Sequence, residues 1–281
     1  MPVKIFIDSS IDLPSDLRKQ VTVVPLSIRF GEEEFTDGVN IDSEMFYEKL
    51  AGCDALPTTS QPSPYVFEAA FQNAVDAGDS IVVITLSSKL SGTYQSASIA
   101  AMDFAGKVYV VDSLSVTIGA GVLVQYALEL AQSGADAETI AWKLMQKREK
   151  VRMLAMLDTL EYLKKGGRIS SAAALAGSLL NIKPLICIEN GEIKMLGKAR
   201  GSKQGNQMLI QEIAKTGGID HRKPLMLGYT GLDTALMEKF AADGADLWAN
   251  RDSAPASTVV GSIVGTHAGP GAVAIAFFSA E

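Results

Sequence analysis

Short apolar runs alternate with longer segments of helical period through the first 150 or so residues. The runs that resemble buried strands are KIFID (4–8), VTVVPLSIRF (21–30), IVVITL (81–86) and KVYVVDS (107–113). Helices are predicted at 14–20, 43–50, 62–78, 92–105, 117–132 and 136–149. Because strands that alternate with helices in this way are typical of βαβ units, the pattern predicts a mostly parallel, three-layer α/β arrangement.

The pattern changes in the second half of the chain, where we expect a mixed sheet. Asn190-Gly191 separates two apolar runs, as a two-residue type I′ hairpin turn requires. The predicted elements are strands at 153–160 and 225–231, a hairpin over 183–200, helices at 171–180 and 233–243, and a final apolar run at 257–278. With 281 residues the chain exceeds the usual size of one domain. We therefore predict two α/β domains, at 1–152 and 153–281.

Composition and charge exclude several classes of function. The net charge of −7 argues against a nucleic-acid partner, because phosphate binding needs clustered Lys and Arg. The longest apolar stretch, 116–131, contains Gln125 and Glu129 and predicts a buried helix rather than a membrane span. Cys53 and Cys187 have neither metal-ligand nor disulfide spacing, and MPVKIFIDSS does not resemble a secretory signal. We expect a cytoplasmic protein with no metal or cofactor and no stable membrane insertion.

The segment SSKLSGTYQSA (87–97) places five Ser and Thr hydroxyl groups where a predicted strand ends and a helix begins. Open α/β sheets bind ligands at this position, and the free N–H groups of a helix start favour an anion. Ser91 has two interpretations. It could cap the helix that begins near Gly92, and it could also hold an anionic ligand, because capping leaves other N–H groups pointing outward.

Two further clusters have polar character. PTTSQPSP (57–64) precedes a helix, and it either forms a turn with Ser63 as the cap or presents its hydroxyls to a ligand. THAGPG (266–271) carries His267 between strand-like runs, and this residue is either structural or aimed at a ligand by the glycine-proline turn. His221 lies in a polar loop and is expected to be solvated. DSS (8–10) and VVDS (110–113) are expected to make structural bonds.

The sequence lacks the signature motifs of several enzyme classes. There is no GxSxG, GxxxxGK[ST], GxGxxG or HExxH motif, and no Cys/His set that suits a metal. A Ser91–His267 dyad could serve a hydrolase or acyltransferase, although no third member can be assigned. This enzyme remains the alternative to a binding protein.

Four motifs together resemble the DegV family of bacterial fatty-acid-binding proteins. They are LPTTSQPS, SSKLSGTYQSA, LEYLKKGGRIS and GTHAGPGAVAIAF, which follow KIFIDSSIDLP in this order. The resemblance implies two α/β domains with a long-chain fatty acid buried between them. It also implies that the protein acts as the acyl-binding partner of a fatty-acid kinase, to which it presents the carboxylate for phosphorylation.

The resemblance further implies roles for particular residues. The carboxylate contacts fall on Thr59, Ser91 and His267, with Arg200 close to them, and Gly92 would let the ligand approach the helix amides. Arg168 falls in an exposed basic loop that implies kinase docking; alternatively, it belongs to a solvated helix end. We expect a monomer that holds one fatty acid, and a binder of a smaller carboxylate is the third possibility.

Overall fold

A computed structural model describes residues 2–169, 181–249, 251 and 254–280. In these ranges the strands are β1 (Val3–Asp8), β2 (Thr22–Val24), β3 (Ser27–Phe30), β4 (Glu33–Thr36), β5 (Thr58–Ser60), β6 (Ser80–Thr85), β7 (Val108–Asp112), β8 (Val151–Met156), β9 (Ile182–Glu189), β10 (Glu192–Arg200), β11 (Leu225–Tyr229), β12 (Ala256–Val259) and β13 (Val273–Phe278). The helices are α1 (Ser15–Arg18), α2 (Ser43–Gly52), α3 (Pro64–Asp76), α4 (Thr93–Ala101), α5 (Thr117–Gln132), α6 (Ala137–Lys147), α7 (Glu161–Lys165), α8 (Gly201–Lys215), α9 (Ala235–Asp243) and α10 (Ser262–Ala268). The helix predicted at 171–180 lies outside the described residues.

The N-terminal domain is built on a parallel sheet with strand order β2-β1-β6-β7, as the alternating pattern predicts. Side chains alternate across this sheet. Phe6 and Val83 pack in a core with residues of α3 and α4, whereas Ile7 and Val82 belong to a second core with residues of α5 and α6. Helices therefore cover both faces, and the three-layer prediction is confirmed.

The single strand predicted at 21–30 was wrong, because the chain there forms two strands in different sheets. Strand β2 pairs with β1, whereas β3 pairs with β4 and β5 in a small antiparallel sheet. Pro25 lies between β2 and β3 and has no N–H with which to continue a strand ladder. The break matters for the site because β5 carries Thr59.

The C-terminal domain contains the expected mixed sheet, with strand order β10-β9-β8-β13-β11-β12. Neighbouring strands are antiparallel except β11 and β12. Asn190 and Gly191 have φ values of 51° and 83°, so the predicted type I′ turn joins β9 to β10. Strand β8 begins at Val151, next to the expected division at residue 152, and that boundary stays a prediction.

Helix α5 is the layer that the two domains share. It packs on β1 and β6 of the parallel sheet and on β8, β11 and β13 of the mixed sheet. Twelve of its sixteen residues are buried, which explains why the stretch at 116–131 is apolar nearly all round. The prediction of a buried helix is confirmed.

Two helices were not predicted. Helix α8 (Gly201–Lys215) was not recognised from its largely polar sequence, and its buried Leu209 and Ile213 pack in the core of the mixed sheet. The placement of His267 between strand-like runs was wrong, because it lies in α10. Contacts made by the start of α10 with the N-terminal domain override the weak helix propensity of its β-branched residues.

Candidate functional site

The loop that carries Ser91 follows β6 and is fixed by carboxylates at the ends of β1 and β7, the two strands that flank β6. Asp8 accepts a hydrogen bond from the Leu86 N–H at 2.7 Å, and Asp112 accepts one from the Ser88 N–H at 3.1 Å. Both carboxylates therefore make the structural bonds expected for DSS and VVDS. The loop is held at the carboxyl edge of the parallel sheet, where ligand sites of α/β folds are found.

One cavity of about 310 Å³ lies between the two domains. Thr59, Ser91, Gly92, Arg168 and His267 all line it, so the structure brings together five of the six predicted site residues. The rest of the wall is mainly apolar and includes Leu26, Leu86, Leu90, Val116, Met153, Ala155, Leu157, Leu163, Ile186, Ile188, Ile193, Gly228, Val260, Ile263, Val264, Ala268, Ala272 and Ala274. This volume and wall suit a ligand with a large apolar part.

The floor of the cavity follows a row of small residues across the mixed sheet. Ala274 of β13 is directly opposite Ala155 of β8 and Gly228 of β11. Ile186 continues the row on β9. Because Ala155, Ala274 and Gly228 each carry at most one side-chain carbon, they leave space above the sheet.

Thr59 and His267 meet across the domain boundary. The Thr59 hydroxyl lies 3.2 Å from His267 Nε2. Thr59 is on β5 of the N-terminal domain, and His267 is on α10 of the C-terminal domain. A hydroxyl and a neutral imidazole can each donate or accept a hydrogen bond. Although neither side chain carries a permanent charge, the pair can therefore donate hydrogen bonds to an anionic ligand.

The surroundings of His267 favour its neutral form. Burial, and then the positive charge of Arg168, lower the pKa of the imidazole from its ordinary 6.5 to about 4. Among the described residues, the buried Nδ1 atom has no hydrogen-bond partner. It packs against Gly166, where a Cβ atom would lie only 2.1 Å from Nδ1. The ring is therefore uncharged near pH 7 and fixed by packing on the segment after α7.

The capping interpretation of Ser91 is only partly correct. Helix α4 begins after Gly92, and the Ser91 hydroxyl is 3.4 Å from the Thr93 N–H and 2.9 Å from the Thr93 hydroxyl. The bond to the N–H is long, so the contribution of Ser91 to the helix start is small. Its hydroxyl remains beside the cavity. Ser63 likewise occupies the cap position of α3 without a side-chain cap bond, and Pro64 begins that helix as predicted.

Gln61 is a cavity residue that was not singled out from the sequence. Its amide donates to the Ser96 hydroxyl at 3.0 Å, which fixes the Thr59 loop against α4. A Cβ atom on Gly92 would lie 2.2 Å from Gln61 Oε1, so this glycine is needed for the approach of Gln61. Ser87 also has a structural role, because its hydroxyl donates to the Gly191 carbonyl of the β9–β10 turn at 2.7 Å.

The two predicted arginines lie in different places. Arg168 is exposed at the edge of the cavity, where it donates to the carbonyls of Gly166 at 2.7 Å and Leu90 at 3.4 Å. Arg200 ends β10, is exposed and is not among the cavity-lining residues. We therefore leave Arg200 out of the proposed site. His221 lies in an exposed turn, as expected.

A family model that is described as an uncharacterised protein of the DegV family matches residues 2–280. The chain belongs to the DegV family. A DegV domain-containing protein of Caldanaerobacter subterraneus subsp. tengcongensis is 36% identical over 98% of each chain. This finding confirms the resemblance carried by the four motifs.

Solved structures of DegV proteins have the same two-domain fold. A DegV protein from Thermus thermophilus, described for its fatty-acid binding, is 32% identical with a TM-score of 0.89 over 99% of this chain and 100% of its own. The fatty acid kinase B3 protein of Streptococcus pneumoniae, loaded with linoleic acid, is 24% identical with a TM-score of 0.86 over 99% of each chain. The predicted fold class is confirmed.

In the part of the chain that the structure describes, no helix combines the length and the apolar character that crossing a membrane requires. No group of three or more His, Cys, Asp or Glu side chains in those ranges could hold a metal ion.

Proposed function

We propose that this DegV protein binds one long-chain fatty acid in the cavity, with its carboxylate at Thr59, Ser91 and His267. The observation that carries the proposal is a mainly apolar cavity that also contains neutral hydrogen-bonding groups from both domains. Gly92, which precedes the first residue of α4, lines the cavity, and we expect the first amides of the helix to contribute to binding of the carboxylate. The fatty-acid binding of the Thermus thermophilus relative supports the same ligand class.

The acyl chain of the ligand is expected to supply most of the binding free energy, whereas the carboxylate head group fixes the orientation of the ligand. Burial of a methylene contributes about 0.8 kcal/mol, so a sixteen-carbon acid gains about 11 kcal/mol before the costs of association. Hydrogen bonds to the carboxylate contribute about 1.5–3 kcal/mol each and mainly offset its desolvation. Neutral donors also leave the carboxylate oxygens more nucleophilic than a bidentate arginine would.

The direct test is mass spectrometry of an organic extract of the purified protein. We expect a long-chain fatty acid in a one-to-one ratio with the chain. A protein that yields no fatty acid and binds neither palmitate nor oleate would contradict the proposal. Binding of a short carboxylate alone would favour the smaller-ligand alternative.

The hydrolase alternative has less support from the geometry. The Ser91 hydroxyl contacts Thr93, whereas His267 Nε2 contacts Thr59, and no described hydrogen bond joins Ser91 to His267. In the described ranges no carboxylate is bonded to His267 Nδ1, so the ring lacks the orienting acid of a triad. Turnover of acyl esters that Ser91→Ala abolishes would favour the enzyme.

We further propose a fatty-acid kinase as the protein partner, with Arg168 in the contact. The likeness to the fatty acid kinase B3 protein of Streptococcus pneumoniae concerns the fold alone. The proposal of a kinase partner therefore depends on the surface residues of this chain. Lys164, Lys165 and Arg168 are exposed around the end of α7, and Arg168 also lines the cavity. A cationic group beside the ligand could attract the acidic surface or bound nucleotide of a kinase.

Replacing Arg168 with alanine is expected to reduce phosphorylation of the bound fatty acid by the kinase while leaving fatty-acid binding nearly unchanged. Palmitate affinity should fall by less than about fivefold, because an exposed charge contributes only about 1 kcal/mol or less. Phosphorylation of the bound fatty acid by a kinase that acts on the wild type should fall much further when the kinase is dilute. Arg222→Ala is the control, because Arg222 is exposed and pairs with Asp220 in a turn. Equal phosphorylation in the two variants would remove the docking role.

The proposed carboxylate site also predicts a pKa change at His267. In the free protein its pKa is about 4, and a bound carboxylate favours the protonated ring, so binding should raise that pKa. Affinity should then increase as pH falls through the window between the two values. Nitrogen NMR of the ring, assigned with His267→Gln, measures the shift. Hexadecanol, which has no carboxylate, should leave the pKa low; an equal rise with both ligands would contradict the site.

Finally, we propose that the protein acts as a monomer in the cytoplasm. One chain supplies every group that we assign to the ligand site. Cys53 and Cys187 are free thiols, which suits a reducing compartment. Light scattering measures the molar mass of the protein with fatty acid bound. We expect the mass of one chain, and the mass of a dimer would contradict this proposal.

A further inference from the structure

Two buried carboxylates of the N-terminal domain bind the start of α10, the helix that carries His267. Asp12 Oδ1 accepts a hydrogen bond from the Gly261 N–H at 2.9 Å. Asp37 Oδ1 accepts one from the Ser262 hydroxyl at 2.6 Å. Gly261 and Ser262 are consecutive, so the first turn of α10 is attached at two adjacent points.

The second oxygen of Asp12 reaches the wall of the cavity. Asp12 Oδ2 accepts a hydrogen bond from the Thr117 hydroxyl at 2.5 Å. Thr117 lines the cavity and has a φ of 46°, a left-handed conformation that a β-branched residue rarely adopts. Such strain persists where neighbouring groups hold the residue in place. One carboxylate therefore connects the strained start of α5 to the start of α10.

The packing around α10 leaves little freedom for the helix to shift. The Tyr47 hydroxyl donates to the Val260 carbonyl at 2.8 Å. A Cβ atom on Gly265 would lie 2.7 Å from both the Tyr47 hydroxyl and the ring of Phe46. Helix α10 is thus pressed against α2 at the turn that precedes His267.

The two carboxylates are costly to keep in the interior. Asp12 is 6% exposed and Asp37 is 8% exposed. Burial raises the pKa of both groups, that of Asp12 to about 7, and the charge of Asp37 raises the pKa of Asp12 further while Arg18 opposes the change. Because the charge of Arg18 only partly offsets the cost of burying these carboxylates, their hydrogen bonds to α10 and α5 point to a role in placing these elements.

We propose that Asp12 and Asp37 are positioning residues that fix α10, and hence His267, relative to Thr59 and the cavity wall at Thr117. The role of these residues in ligand affinity rests on the proposed function. Their role in the placement of the His267 ring does not, because that placement exists in the free protein.

The decisive comparison is between Asp12→Ala and Asp12→Asn. Alanine removes both hydrogen bonds. Asparagine keeps them, because its carbonyl can accept from the Gly261 N–H while its amide donates to the Thr117 hydroxyl. We therefore expect Asp12→Ala to shift the ring resonances of ligand-free His267 and to weaken palmitate binding by about tenfold, the effect of one poorly placed hydrogen bond to a charged group. Asp12→Asn should restore both.

The control for general destabilisation is Asp136→Ala. Asp136 also accepts a bond at a helix start, from the Thr139 N–H of α6, but it is not a cavity residue. This variant should unfold at a lower temperature while His267 and palmitate affinity stay as in the wild type. Where Asp12→Ala does not fold, Ser262→Ala removes the hydroxyl bound by Asp37 and should shift His267 in the same direction by a smaller amount.

Unchanged His267 resonances in folded Asp12→Ala, or an Asp12→Asn variant as impaired as Asp12→Ala, would overturn the inference. A wild type that binds no fatty acid would overturn the proposed function instead. In that case the ring resonances of the ligand-free variants still decide the positioning role.

Discussion

Phenylalanine in place of Ala155 is expected to abolish fatty-acid binding while the protein stays folded. Ala155 belongs to the row of small residues across the mixed sheet and lies between Ile186 and Ala274 on the neighbouring strands. A ring at this position would occupy the space over the sheet that the acyl chain needs. Excluding about seven methylenes costs about 6 kcal/mol, which is on the order of a 10⁴-fold loss in affinity.

Calorimetric titration with palmitate and thermal unfolding together measure this effect. The ring enters an existing cavity, so the ligand-free variant should unfold near the wild-type temperature, and palmitate should no longer raise that temperature. Met153→Leu, a volume-conserving change at another cavity residue, is the control and should keep its affinity within a few-fold. Wild-type affinity in Ala155→Phe would place the acyl chain elsewhere.

Alanine in place of Ser91 is expected to weaken palmitate binding by about 10- to 150-fold. This range corresponds to the loss of one hydrogen bond to a charged group, about 1.5–3 kcal/mol. Stability should change little, because α4 begins after Gly92 and the Ser91 bond to the Thr93 N–H is long.

Two controls separate head-group recognition from damage to the loop. Ser88→Ala changes an exposed residue of the same loop that does not line the cavity, and it should bind palmitate like the wild type. The Ser91→Ala substitution should weaken the binding of hexadecanol less than the binding of palmitate, because an uncharged head group gains less from a hydrogen bond to the Ser91 hydroxyl. If Ser91→Ala and Ser88→Ala bind palmitate equally tightly, Ser91 has no part in the site.

Local patterns predicted the features of the fold that depend on neighbouring residues. The alternation of apolar runs and helical segments gave the parallel sheet and the buried α5. Asn190-Gly191 gave the type I′ turn, because that turn needs positive φ at both positions. The features that failed depend on distant partners: the strand at 21–30 is divided between two sheets, and α10 is attached to Asp12 and Asp37.

In the candidate site, too, local sequence predicted some features, whereas others depend on residues that are distant in the chain. The polar loops were visible from the sequence because SSKLSGTYQSA follows a predicted strand, PTTSQPSP precedes a predicted helix and THAGPG interrupts an apolar run. Thr59, Ser91 and His267 of these loops do line one cavity. The row of Ala155, Ala274 and Gly228 was not visible, because strand register determines which small residues become neighbours.

Gln61 and Asp12 could not be assigned for a related reason. Gln61 acts through a contact with Ser96, and Asp12 acts through Gly261 and Thr117, which are far apart in the chain. The local sequence does not distinguish a polar residue that hydrogen-bonds to a distant element from one that is exposed to solvent in a loop. Arg200 illustrates the opposite case, since it was assigned by resemblance to a place near the carboxylate and lies outside the cavity lining.

A crystal structure of the protein with palmitate bound would locate the acyl chain and the carboxylate together. We expect the acyl chain to lie over Ala155 and Ala274 and the carboxylate to lie within hydrogen-bonding distance of Thr59, Ser91 and His267. A carboxylate at the opposite end of the cavity, or a chain bound outside it, would contradict the proposed site.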